Sequence, residues 1–251
     1  MPISRRDFVA LTGSALTAFA IAPACAMESA ADQTFARVTA RPKKGIKTTA
    51  AGRTRLGLGD ARDGVLQMPT VVPDTPIPLL LLFHGASSSG ERQLDRFGTI
   101  PSDAGVAVLA LDSRGPTWDG IMGGAFGPDV AFINRALDKV FGQVAVDPAR
   151  LIIGGFSDGA SYALSMGLIN GDVFPKVVAF SPGFLIPGDA QGKPRVFVSH
   201  GTADDVLPID RCSRVIVPEL KRRGYDVTFR EFDGKHEVPA AVATEAFKWM
   251  A

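Results

Sequence analysis

The chain has 251 residues, 46% of them hydrophobic, with 27 basic and 26 acidic residues and a formal charge of +1. That is enough apolar material for one sizeable core, and a balanced charge without a basic stretch argues against a nucleic-acid partner. Two cysteines, Cys25 and Cys212, are too few and too far apart for a disulfide framework or a cysteine-rich metal site.

Residues 1–26 read as an export signal. A charged "SRRDF" (Ser4–Phe8) leads into the short apolar run "VALTGSALTAFAIAPA". "ACAMES" then offers a small-x-small end, with cleavage expected after Ala26. The run is short and rich in Thr, Ser and Gly, so no stable membrane insertion is expected once the signal is removed. Arg5 and Arg6 resemble the twin-arginine pair, whose passengers cross the membrane folded, and this points to a periplasmic or secreted protein. Lipidation at Cys25 is disfavoured because Pro23 interrupts "IAPAC", and Cys212 reads as a buried small hydrophobe. Beyond the signal the charge is balanced at 25 basic and 25 acidic residues. Residues 27–50 lack sustained periodicity and read as a linker or loosely attached arm.

From residue 51 onward, strand-like and helix-like segments alternate. "RTRLGLG" (53–59) is a first strand, and "IPLLLLFHG" (77–85) is an unbroken apolar run, as a strand covered on both faces requires. A partly helical 91–105 precedes a strand over 106–112. Residues 127–143 place Val130, Ile133, Leu137, Val140 and Phe141 at helical spacing, with Pro128 in the first turn. There follow strand 151–155, helix 158–169, strands 176–181 and 195–200, helix 208–223, strand 226–232 and helix 238–250. The alternation predicts one α/β domain over 51–251, a mostly parallel twisted sheet with helices on both faces. Only 112–127 and 182–194 are long connections, so no sizeable cap domain is expected.

Parallel sheets of this kind place ligands beyond the carboxyl ends of their strands. His84, Asp112, Ser157, Asp204, Asp205 and His236 stand there, the raw material for a nucleophile, a base and an orienting carboxylate. "GFSDG" (Gly155–Gly159) fits the G-x-S-x-G elbow between a strand and a helix, which makes Ser157 the candidate nucleophile. His236, in the polar loop "FDGKHEVP", is the candidate base; His200 ends a strand and reads as a hydrogen-bonded structural residue. The acid is Asp204 or Asp205, which spacing does not separate. An oxyanion needs two backbone donors, expected from Asp158 at a helix N-terminus and from Ala86 in "HGASSSG" (His84–Gly90). Trp118 and Phe126, with Ile121 and Met122, are the candidates for shaping a substrate pocket in "DSRGPTWDGIMGGAFG" (112–127). No metal site and no cofactor motif are read.

With these residues in view, the chain resembles the α/β-hydrolase superfamily over roughly 52–251. "LLLLFHGASSSG", "DPARLIIGGFSDGASYAL", "VFVSHGTADDVLP" and "FDGKHEVP" stand in that superfamily's order. It is similar to the carboxylesterase/phospholipase group and to polyhydroxybutyrate depolymerase-type esterases. The resemblance implies a metal-independent serine esterase acting on small-molecule esters, with Ser157, Asp204 and His236 as the triad and Ala86 as an oxyanion donor. In those relatives the acid is the fourth residue of G-x-x-D-x-x-x-P, which selects Asp204 over Asp205. Asp158 departs from several relatives, which carry Gln, Met or Gly there. A carboxylate beside the oxyanion site would repel developing charge unless it turned away. A prolyl-oligopeptidase-like peptidase and a degenerate, non-catalytic binding module are the alternative readings.

Overall fold

"IPLLLLF" is buried along its whole length as strand β3 (Ile77–Phe83), and the sheet grows outward from it. The structure, a computed structural model, describes residues 36–59, 61–123 and 125–251. The other strands are β1 (Arg53–Arg55), β2 (Gly64–Gln67), β4 (Ala107–Leu111), β5 (Val146–Phe156), β6 (Lys176–Phe180), β7 (Arg195–Gly201) and β8 (Val227–Phe232). They lie in the order β1-β2-β4-β3-β5-β6-β7-β8. β1 and β2 pair antiparallel at one edge, and every pairing from β4 to β8 is parallel. All six parallel strands therefore end on one edge, where Ser157, Asp204, His236 and the loop after β3 meet.

Side chains alternate across the sheet and divide the core in two. Leu79, Leu81 and Phe83 face one layer together with α4 (Pro128–Phe141), α5 (Asp158–Ile169) and α6 (Ser213–Arg222). Leu80 and Leu82 face the other, covered by α1 (Gly90–Asp95), α2 (Ile100–Asp103) and α7 (Ala240–Met250). A short α3 (Asp119–Gly123) lies in the long connection after β4. This is the α/β-hydrolase fold, and among the described residues no cap domain interrupts it.

Several boundaries differ from expectation: the first strand ends at Arg55 rather than 59, and the 208–223 helix begins only at Ser213, after a 3-10 turn over Ile209–Arg211. β2 is a four-residue strand, too short to show periodicity, and β5 starts five residues early. The 91–105 helix splits into α1 and α2 because Gly98 takes a positive φ of 53° between them.

The reading of 27–50 as a loose linker is corrected for residues 36–41. Ala36, Val38 and Ala40 are buried in the core, while Arg37, Thr39 and Arg41 face outward. Asn170 accepts from the Val38 N–H at 2.8 Å and donates to the Ala36 carbonyl at 2.9 Å; Asn134 accepts from the Thr39 N–H at 2.7 Å. Side-chain amides here supply the backbone pairing that a neighbouring strand would otherwise give. Residues 1–35, with the signal and the start of the arm, lie outside the described residues.

Candidate active site

Ser157 sits between β5 and α5 with φ 58° and ψ −123°, a conformation that costs a non-glycine residue about 1–3 kcal/mol. The flanking glycines make that turn fit. A Cβ on Gly155 would lie 2.3 Å from the Gly159 carbonyl oxygen, and one on Gly159 would lie 2.5 Å from the carbonyl oxygens of Phe83 and His84. The end of β5, the start of α5 and the end of β3 thus meet backbone to backbone, and Ser157 is pushed out above them.

Its Oγ lies 2.8 Å from His236 Nε2, and His236 Nδ1 lies 2.7 Å from Asp204 Oδ2. His236 reaches this place because β7 and the 233–236 loop are jammed together: a Cβ on Gly201 would strike the carbonyls of Gly234 and Lys235 at 2.4 and 2.2 Å. The Ala203 N–H also donates to the Gly234 carbonyl, and the His236 ring packs 4.7 Å from Phe156. Asp204 is buried, and its Oδ1 accepts the N–H groups of Val206 and Leu207 at 3.0 and 2.7 Å. Burial works to raise the Asp204 carboxyl, but the bonds from His236, Leu207 and Val206 hold it below the usual carboxylate range. Asp205 is exposed and faces Lys235 at 3.7 Å. Of the two candidate acids, only Asp204 is brought to the imidazole.

The loop after β3 passes directly over the serine: a Cβ on Gly85 would lie 3.2 Å from Ser157 Cβ. Ala86 is exposed at its crest, and Ser87 turns the chain with φ 53°. Among the described residues, neither the Ala86 nor the Asp158 N–H donates to a protein acceptor, which leaves both free for an anion. The Asp158 side chain turns aside, since its Oδ2 accepts the Thr117 hydroxyl at 2.8 Å.

Thr117 belongs to a brace along this flank. The Pro116 carbonyl accepts the Ser87 N–H at 2.8 Å, and Trp118 Nε1 donates to the His84 carbonyl at 2.9 Å. Arg62 closes the other side by donating to the Ser88 carbonyl, the Ser113 hydroxyl and His84 Nε2. His84 Nε2 also accepts the Ser113 N–H, so its proton is on Nδ1, directed at the Gly85 carbonyl. Burial pushes the His84 ring down and keeps it neutral. Asp112 is structural as well, accepting the N–H groups of Gly90 and Asp63.

The brace corrects the assignment of Trp118 and Phe126 to a substrate pocket. Trp118 is 1% exposed, stacked on Tyr162 at 5.1 Å and close to Phe83 at 4.4 Å. Phe126 packs on Tyr162 from a buried position at 5.6 Å. Burying these rings with one another outweighs leaving them in an open cleft, so they carry the loop rather than a ligand. Ile121 is half-buried, and Met122 is a large apolar side chain left 63% exposed. Sequence reading missed Thr117, Arg62 and the brace, because their partners lie 22 to 51 positions away and leave no local pattern.

Residues 130–248 match the phospholipase/carboxylesterase family. A putative esterase, NocK, from Nocardia uniformis subsp. tsuyamanensis is 30% identical over 209 residues, covering 76% of this chain. The chain spans 59% of that relative's length and less of the other curated relatives it matches. Among solved structures, esterase PE8 superposes with a TM-score of 0.60 at 22% identity, over 75% of this chain and 97% of its own. The Bacillus cereus carboxylesterase gives 0.58 at 22% identity, over 76% and 94%. This chain has the α/β-hydrolase fold, and from residue 130 to residue 248 its sequence matches the phospholipase/carboxylesterase family.

Proposed function

We propose that the protein hydrolyses carboxylic esters through an acyl-enzyme on Ser157. The observation that carries this reading is the continuous line from Ser157 Oγ through His236 to Asp204, at 2.8 and 2.7 Å, beside two free backbone amides. An ionised Asp204 accepts from His236 Nδ1–H, which leaves Nε2 as the acceptor for the serine proton. Ser157 Oγ bonds to the ester carbonyl carbon while Nε2 takes its proton, and the oxyanion meets the amides of Ala86 and Asp158. His236 returns the proton to the departing alcohol. A water then loses a proton to His236, attacks the acyl carbon and frees the acid, restoring the serine.

The loops around this site favour substrates with an apolar part. Met122, Phe184 and Val206 are 63%, 44% and 62% exposed, on the connections after β4, β6 and β7. Those connections adjoin: Ile186 lies 2.9 Å from a Cβ built on Gly120, and Leu207 lies 3.3 Å from one built on Gly183. Residues 1–26 complete the reading as an export signal, tested by the location of Arg5→Lys/Arg6→Lys in fractionated cells. For the reaction, Ser157→Ala should lower turnover of p-nitrophenyl butyrate by about 10³-fold or more while the variant stays folded. Undiminished hydrolysis by that variant would reject the mechanism.

A further inference from the structure

His200 is fully buried on β7, and the steps above make no use of it. Its Nε2 lies 2.7 Å from the Leu207 carbonyl and 3.1 Å from Asp204 Oδ2. A carbonyl oxygen can only accept, so the proton is on Nε2, and Nδ1 accepts the Ser213 hydroxyl at 2.7 Å. The N–H is directed at Leu207, with its positive end against Oδ2, the same oxygen that His236 Nδ1 reaches at 2.7 Å. Leu207 closes the arrangement by donating its own N–H to Asp204 Oδ1 at 2.7 Å.

Burial pushes the His200 ring down and His236 works in the same direction, against Leu207 and Asp204, so the ring is a neutral donor. The other titratable group facing it is Glu231, opposite in the β8 register and held by Arg214 at 2.6 Å. We propose that His200 is a positioning residue: it fixes the Asp204 turn and, by sharing Oδ2 with His236, weakens the carboxylate's hold on the imidazolium. This inference rests on the esterase reading above.

The test compares His200→Leu, which removes the donor, with His200→Gln, which keeps an N–H at the Nε2 position. Two readouts are needed: the acid limb of the kcat/KM profile for p-nitrophenyl butyrate, and a pH titration of the downfield His236 Nδ1–H proton resonance in the intact protein. In His200→Leu both midpoints should rise by about half a unit. In His200→Gln they should stay with the wild type, although both variants lose some thermal stability. Should His200→Leu fail to fold, Ser213→Ala weakens the same donor through Nδ1 and should move both midpoints upward by less. Midpoints that stay put or fall in the folded variant overturn the proposal. The resonance needs no turnover, so a wild type that hydrolyses no ester would reject the esterase reading and leave this result readable.

Discussion

The elbow at Gly155–Gly159 and the segment at 113–127 both flank Ser157 Oγ but are held by different means. The elbow is held by contact: backbone presses on backbone where glycines leave no side chain. The 113–127 segment is held by side-chain hydrogen bonds: Asp119 and Asp129 accept several of its own N–H groups, and Thr117 and Trp118 reach out to Asp158 and the His84 carbonyl. The elbow places the proposed nucleophile, whereas the segment steadies the loop after β3 and holds the Asp158 carboxylate aside through Thr117. Perturbing each region should therefore fail in its own way.

The largest effect should come from Gly155→Ala. Its Cβ would stand 2.3 Å from the Gly159 carbonyl and 2.9 Å from that of Phe83. A loss of about 3 kcal/mol or more in chemical denaturation is expected, in the range of severe core strain. Gly123→Ala in the other region, exposed at the end of α3, meets nothing within 4 Å and should cost no stability. Equal losses would erase the distinction between the two regions.

Next is the pH response of the segment's anchor. Burial raises the Asp129 carboxyl to about 6, outweighing the N–H bonds from Asp119 and Arg114. The folded state then binds the proton more tightly than the unfolded chain, so this group adds stability as pH falls through about 6. Asp204, Asp147 and Glu231 are shifted down and act in the opposite sense, which makes the comparison with Asp129→Asn the informative one. The variant should gain about 1 kcal/mol relative to wild type between pH 5 and pH 7.5. A difference that does not change with pH would show that Asp129 is ionised throughout.

Trp118→Phe removes the bond to the His84 carbonyl and should cost about 1 kcal/mol in stability, with slower ester turnover. Smallest is Thr117→Val, which frees the Asp158 carboxylate beside the oxyanion position. A fall in kcat of about threefold at unchanged KM is expected, recovered in Thr117→Val/Asp158→Asn. A kcat that the second substitution does not recover would mean the carboxylate is not what slows the reaction.

How much of this was legible in the sequence follows the same division. The strand–helix alternation and the elbow are local patterns, and so are the positions of Ser157, Asp204 and His236 after their strands. Separating Asp204 from Asp205 needed the family motif, because both follow one strand and only the turn at Val206–Leu207 decides which faces inward. The attachment of residues 36–41 escaped notice because their pairing is supplied by Asn134 and Asn170, about a hundred residues away. Trp118 was misjudged for a similar reason: its stacking partner Tyr162 lies on α5, outside any local window.

The central claim is that Ser157 is the nucleophile, and covalent capture tests it most directly. Intact protein treated with a fluorophosphonate should gain one phosphonyl adduct, mapped by peptide mass spectrometry to Ser157 and absent from Ser157→Ala. An adduct on another residue, or ester hydrolysis that continues after Ser157 is fully blocked, would contradict it.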